Sequence, residues 1–227
     1  MILLQWSGKC CANCKSAKAM NTEQIVAAVT QAVLCQLQDK KIPVGISNRH
    51  IHLSQADSAA LFGAGTKLTT CKDLSQPGQF ACNEKVLLVG PKGIIEGVRV
   101  LGPVRPATQV EIAPSDAIKL GIKAPVRDSG DLESSAGLTI VGPAGAVTLR
   151  EGVIVAARHI HMHTTDAARF GVADKQRVSV RFAGPRGVRF EEVLIRVSSQ
   201  FALEMHIDID EANAACITNG DKVELIK

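Results

Sequence analysis

Apolar residues recur at Ile25, Val26, Val29, Val33, Leu34 and Leu37, the spacing of one face of a helix. The pattern predicts an amphipathic helix over residues 21–38, capped by Asn21 or Thr22 and stopped by Lys40, Lys41 and Pro43. Beyond Ile42 the texture changes to short β-rich runs, such as Lys85–Val89 and Arg177–Arg181. Turns are expected between them at Gly90-Pro91, Gly102-Pro103, Gly142-Pro143 and Gly184-Pro185. Small antiparallel barrels fit this punctuation. Short helical patterns over Ala56–Phe62, Asp116–Leu120, Asp166–Phe170 and Asp210–Ala215 read as caps on the barrel ends.

The pattern repeats. Arg49-His50-Ile51-His52-Leu53, with Asp57 and Phe62-Gly63 behind it, returns as Arg158-His159-Ile160-His161-Met162 with Asp166 and Phe170-Gly171. Further on, Glu111-Ile112 with Asp116-Ala117 lines up with His206-Ile207 and Glu211-Ala212. Internal duplication therefore predicts two similar halves.

Composition narrows the function classes. A formal charge of +4 with the basic residues scattered, no Tyr and one Trp offer neither a basic footprint nor stacking platforms for nucleic acid. A modest positive excess suits small anionic substrates instead. No apolar run reaches the ~18 residues of a membrane span, and seven cysteines without a visible signal peptide point to a reducing compartment. Cys10, Cys11 and Cys14 carry a CxxC spacing without a second ligand pair nearby. Met20 is a second candidate start, and residues 1–20 read as an extension.

The chemistry concentrates in the histidines. Four of the six lie in the two HIH segments, His163 follows two residues after the second, and His206 stands where the repeat places Glu111. On a strand, His50 and His52 share a face about 7 Å apart, a span two imidazoles can bridge to one metal. His159 and His161 do the same. Adding Glu111 to one pair and His206 to the other gives two three-ligand sites with open positions, a catalytic style of coordination. Two zinc ions fit best, although imidazole and carboxylate also accept iron, cobalt or manganese. An isolated HxH is more often a surface strand whose rings only hydrogen-bond; duplication with a co-registered third ligand favours metal. His163, on the same face by parity, is a candidate for orienting the ligands.

Arg105, six residues before Glu111, can offer a guanidinium fork to phosphate, the competing reading being a surface ion pair. Lys72, Arg99 and Arg127 are candidates for the phosphates of a larger anion. Cys71 and Cys82 could accept an acyl group, but no base accompanies them in sequence, and we read them as core or bystander residues.

The segments Ile46–Ser54, Leu101–Arg105 with Thr108–Glu111, Arg158–Met162 and Leu203–Asp208 closely resemble the phosphate propanoyltransferase family of PduL type, from about Lys41 to the C-terminus. The resemblance implies two β-barrels with the first strand exchanged. One barrel takes residues 39–48 plus 157–227 and carries the second metal site; the other takes 49–156 and carries Arg105 and Glu111. It implies metals held by His50, His52 and Glu111 and by His159, His161 and His206, with Arg105 as the phosphate-binding arginine. CoA contacts carry over to Ser47, Lys72, Arg99 and Asn213. The implied activity converts propanoyl-CoA or acetyl-CoA and phosphate to acyl phosphate and free CoA in the lumen of a bacterial microcompartment, in propanediol degradation. A metal-dependent hydrolase of acyl-CoA or another substrate is the alternative on the same scaffold. The helix of residues 21–38 resembles an encapsulation peptide that docks to shell or cargo proteins. A homodimer is a further expected partner, whereas nucleic acid and membrane are not expected.

Overall fold

A computed structural model describes residues 21–37 and 41–226. The extension and its Cys10, Cys11 and Cys14 cluster lie outside the described residues. Helix α1 (Thr22–Leu37) forms where the apolar spacing predicts it. Asn21 caps it: its side-chain oxygen accepts from Gln24 N at 2.8 Å, and Gln24 Oε1 accepts from Asn21 N at 3.1 Å. Ile25, Val26 and Val29 are exposed.

The remainder is mainly β. In chain order it runs β1 (Lys41–Ser47), β2 (His50–Ser54), α2 (Gln55–Phe62), β3 (Thr70–Asp73), β4 (Phe80–Val89), β5 (Ile94–Arg105), β6 (Gln109–Glu111), α3 (Pro114–Leu120) and β7 (Val126–Arg127). Then follow β8 (Ala136–Val141), β9 (Ala146–Ala156), β10 (His159–Met162), α4 (Thr164–Phe170), β11 (Arg177–Phe182), β12 (Val188–Val197), β13 (Glu204–Asp208), α5 (Ile209–Ala215) and β14 (Lys222–Ile226). The four short helices occupy the segments their patterns predict.

Two closed six-stranded rings result. One runs β1-β13-β10-β12-β11-β14; the other runs β4-β5-β2-β6-β9 and closes through β8, which pairs with both β9 and β4. The rings match strand for strand, with β2 equivalent to β10, β5 to β12 and β6 to β13. The strand preceding each HIH segment belongs to the other ring: β1 pairs with β13 and β14, and β9 pairs with β6 and β8. Ile42 and Val44 of β1 accordingly sit in the core with Ile160, Met162 and Ile207, while Val153 of β9 joins Ile51, Leu53 and Val110. This exchange ties the halves together, since neither core is complete without a strand from beyond its own repeat.

Two expectations need correction. The barrels are not purely antiparallel, because β2–β5, β6–β9, β10–β12 and β1–β13 are parallel. Such pairs follow once α2 and the β3–β4 hairpin separate β2 from β5. Gly102-Pro103 is not a turn either: β5 continues through it, with a register irregularity against β2 between Leu101 and Arg105. A Cβ at Gly102 would lie 2.3 Å from the Phe80 ring, so the glycine serves close packing against β4.

Candidate metal and anion site

Strand alternation creates the site. Ile51, Leu53, Ile160 and Met162 are fully buried in the two cores, so His50, His52, His159 and His161 must point to the opposite face of their strands. Register then supplies the third group in each half. His50 pairs with Glu111 across β2 and β6, and His159 with His206 across β10 and β13. The ligand atoms of His50, His52 and Glu111 lie within 4.8 Å of one another, as do those of His159, His161 and His206. His50, Glu111, His159 and His206 line a single cavity with Ser47, Asn48 and Asp208.

The donor atoms fit metal ions. His50 Nδ1 lies 2.8 Å from the Asn48 carbonyl and His159 Nδ1 2.8 Å from the Ala157 carbonyl. A carbonyl only accepts, so each Nδ1 carries a proton and Nε2 is the nitrogen left to face a metal. Nδ1 of His52 and Nδ1 of His161 are buried without a hydrogen-bond partner among the described residues. An orphaned pair of imidazole nitrogens, one at each cluster, is what a coordinated cation satisfies. Burial, then the neighbouring His50 and Arg105 charges, lowers His52 to about 3. Burial, then the other imidazoles, lowers His159 to about 4 and His161 to about 2. These rings are neutral and ready to ligate at neutral pH. Burial alone would raise Glu111, but His50, His52 and the Ser129 hydroxyl bring it down to about 2, leaving an anion.

Around the clusters stands a supporting shell that sequence reading missed. Gln109 Nε2 donates to Glu111 Oε1 and, at 2.8 Å, to Ser129 Oγ; Ser129 donates to the same Glu111 oxygen at 2.9 Å. In the other half Glu204 lies 2.7 Å from His206 Nε2 and accepts from Ser75 Oγ, a residue of the β3–β4 loop in the opposite barrel. Only the repeat could have revealed one pair of supports. Arg49 ion-pairs Asp116 at 2.9 Å and Arg158 ion-pairs Glu211 at 2.7 Å, each fastening the start of an HIH strand to its capping helix. The helix tips meet where Ser115 donates to Asp210 from N and Oγ, at 2.8 and 2.7 Å.

The remaining candidates divide. Arg105 is half-buried next to His52; burial lowers its pKa, Glu111 opposes and Arg196 reinforces the shift. It arrives there because β5 gains two residues over β2 between the pairs His52–Leu101 and Ser54–Arg105, and such an irregularity re-aims a strand end. Ser47 lines the cavity and Arg99 pairs with His50, its Nη1 donating to the Cys82 carbonyl at 2.6 Å. Lys72 and Asn213 are exposed on β3 and α5, away from the cavity lining, and Arg127 ion-pairs Asp131. His163 does not support the clusters: its Nδ1 accepts from Thr165 N and caps α4, as Ser54 caps α2. Cys82 is buried and Cys71 exposed.

Twin mixed barrels bring two His-rich clusters that could hold metal ions and an unpaired arginine to one site, an arrangement chemically suited to an anionic substrate. The family model described as phosphate propanoyltransferase matches residues 43–218, and the chain belongs to that family. It is 52% identical over 209 residues to a phosphate propanoyltransferase of Thermotoga maritima, covering 92% of this chain and 100% of that protein. It is 54% identical over 186 residues to one of Rhodobacter capsulatus, covering 82% and 86%, and 52% identical over 206 residues to one of Priestia megaterium, covering 89% and 95%.

Proposed function

We propose that the chain is a two-zinc phosphate acyltransferase that converts propanoyl-CoA or acetyl-CoA and inorganic phosphate to acyl phosphate and free CoA. The reading is carried by one observation: two open three-ligand clusters share a cavity, with an unpaired half-buried guanidinium beside them. His50, His52 and Glu111 would hold one ion, and His159, His161 and His206 the other. Ions bound there supply Lewis-acid polarisation of the thioester carbonyl and stabilisation of the leaving thiolate.

The protein's own groups do the rest. Arg105 binds and orients phosphate so that an oxygen attacks the acyl carbon; the O–C bond forms as the C–S bond breaks, and CoA leaves as thiolate to take a proton from water. Binding both anions together removes much of the entropic cost of a two-substrate reaction. Ser47 and Arg99 stand beside the first histidine of β2, where they serve CoA; Lys72 and Asn213 are assigned to its outer portion. No acyl-enzyme is needed. Burial, then the nearby Glu84, pushes the Cys82 thiol up to about 11, so that a thiolate is scarce at neutral pH.

We further assign α1, with its exposed Ile25, Val26 and Val29, as the peptide that carries the enzyme into a microcompartment of the propanediol type. The test of the site is metal analysis of the purified chain. Two zinc per chain are expected, falling to one in His52→Ala and in His161→Ala; unchanged content in both variants refutes the ligand assignment.

A further inference from the structure

Seven arginines are half-buried among the described residues, and five have an acceptor. Arg49, Arg158 and Arg169 pair with Asp116, Glu211 and Asp166 at 2.9, 2.7 and 2.8 Å. Arg127 pairs with Asp131 at 3.5 Å and Arg99 donates to the Cys82 carbonyl. The other two, Arg105 and Arg196, have neither hydrogen bond nor ion pair among the described residues. A guanidinium partly withdrawn from water without an acceptor is costly, and both of these stand at the metal clusters.

Arg196 pairs with His161 across β12 and β10, so the two side chains share the outward face of the second barrel. Its Cζ lies 5.9 Å from the Phe201 ring, which also lies 4.3 Å from the His161 ring. Phe201 flanks the guanidinium without accepting a hydrogen bond from it. The fold does not require an arginine there, because the equivalent place in the first barrel, opposite His52, is Leu101. The barrels also separate two ends of the site. Arg99 stands beside the first histidine of its segment, on the side where Ser47 lines the cavity. Arg196 stands beside the second histidine of its segment, and Arg105 at the same end of β2. The Arg196 charge acts on His159, on His161 and on Arg105 itself.

We propose that Arg196 is a second phosphate-binding arginine, forming with Arg105 a two-armed anion clamp at the end of the site opposite Ser47 and Arg99. The inference deepens the transferase reading and rests on it for the identity of the anion as the acceptor substrate. Two guanidiniums approaching from the two barrels would favour a doubly charged oxyanion over water as acceptor, which suits transfer rather than hydrolysis.

The test uses the full, zinc-loaded chain as wild type, Arg196→Ala and Arg196→Lys. Two readouts are taken: inorganic phosphate binding by calorimetry without acyl-CoA, and steady-state KM for each substrate. In Arg196→Ala, phosphate Kd and KM should rise roughly ten- to a hundredfold, the scale of a lost charged hydrogen bond. KM for acyl-CoA and zinc content should hold, and Arg196→Lys should fall between, keeping charge without the fork. Unchanged phosphate binding in both variants overturns the proposal, as does an effect confined to acyl-CoA or a loss of zinc that accounts for the change. Should the wild type make no acyl phosphate yet lose phosphate affinity on Arg196→Ala, the transferase reading fails while the anion clamp stands.

Discussion

Glu204 fixes the His206 ring: a carboxylate oxygen lies 2.7 Å from His206 Nε2 and also accepts from Ser75 of the opposite barrel. Space for that carboxylate exists because residue 45, opposite His206 on β1, is glycine; a Cβ there would lie 2.8 Å from Glu204 Cδ. Carboxylates in this position orient a ligating imidazole and raise its basicity, and their loss typically costs about ten- to a hundredfold in metal affinity. Glu204→Ala should therefore weaken zinc at the second cluster by roughly that factor and leave the first intact, as read by competition with a chromophoric chelator. Equal retention of both ions would deny Glu204 this role.

Arg105 should separate phosphate use from metal binding. Arg105→Ala removes charge from the site without removing a ligand, so zinc content should persist while kcat/KM for phosphate falls at least roughly tenfold. Metal analysis alongside initial rates checks both halves of the statement, and zinc loss would make Arg105 a structural residue.

Acid should destabilise the chelator-treated protein through its histidines. His52, His159 and His161 fall from an ordinary 6.5 to about 3, 4 and 2 on folding. Between those values and 6.5 the unfolded chain binds protons that the folded one refuses, so stability is full above 6.5 and declines as pH falls below it. Each ring contributes up to about 1.4 kcal/mol per pH unit. Thermal midpoints of the chelated protein should drop between about pH 7 and pH 5, with a shallower fall in His161→Asn. A midpoint independent of pH over that range would mean that these rings are not held neutral by the fold.

Much of this site is legible in sequence because its geometry is local. Alternation in His-Ile-His fixes which residues face the core, and the repeat aligns Glu111 with His206, which the barrels then place in register with the first histidine of each segment. Arg196, Glu204, Ser75 and Ser129 escaped notice because their importance depends on partners far along the chain. Val193-Leu194-Ile195-Arg196 reads as an ordinary strand until closure of the ring sets Arg196 opposite His161. Glu204 meets Ser75 only because the barrels pack together, 129 residues apart in sequence. Gly102-Pro103 misled for a related reason: a dipeptide that signals a turn locally is carried through β5 by packing on Phe80. His163 shares parity with the ligands, but the chain has already turned into α4 at that position, where its ring caps the helix.

The most direct measurement incubates the zinc-loaded chain with propanoyl-CoA, with and without inorganic phosphate, and follows free CoA together with acyl phosphate trapped as hydroxamate. Phosphate-dependent CoA release with one acyl phosphate formed per CoA, abolished by chelation, is the expected result. Release of CoA at the same rate without phosphate, leaving only free propanoate, would contradict the transferase account and make the same clusters those of a hydrolase.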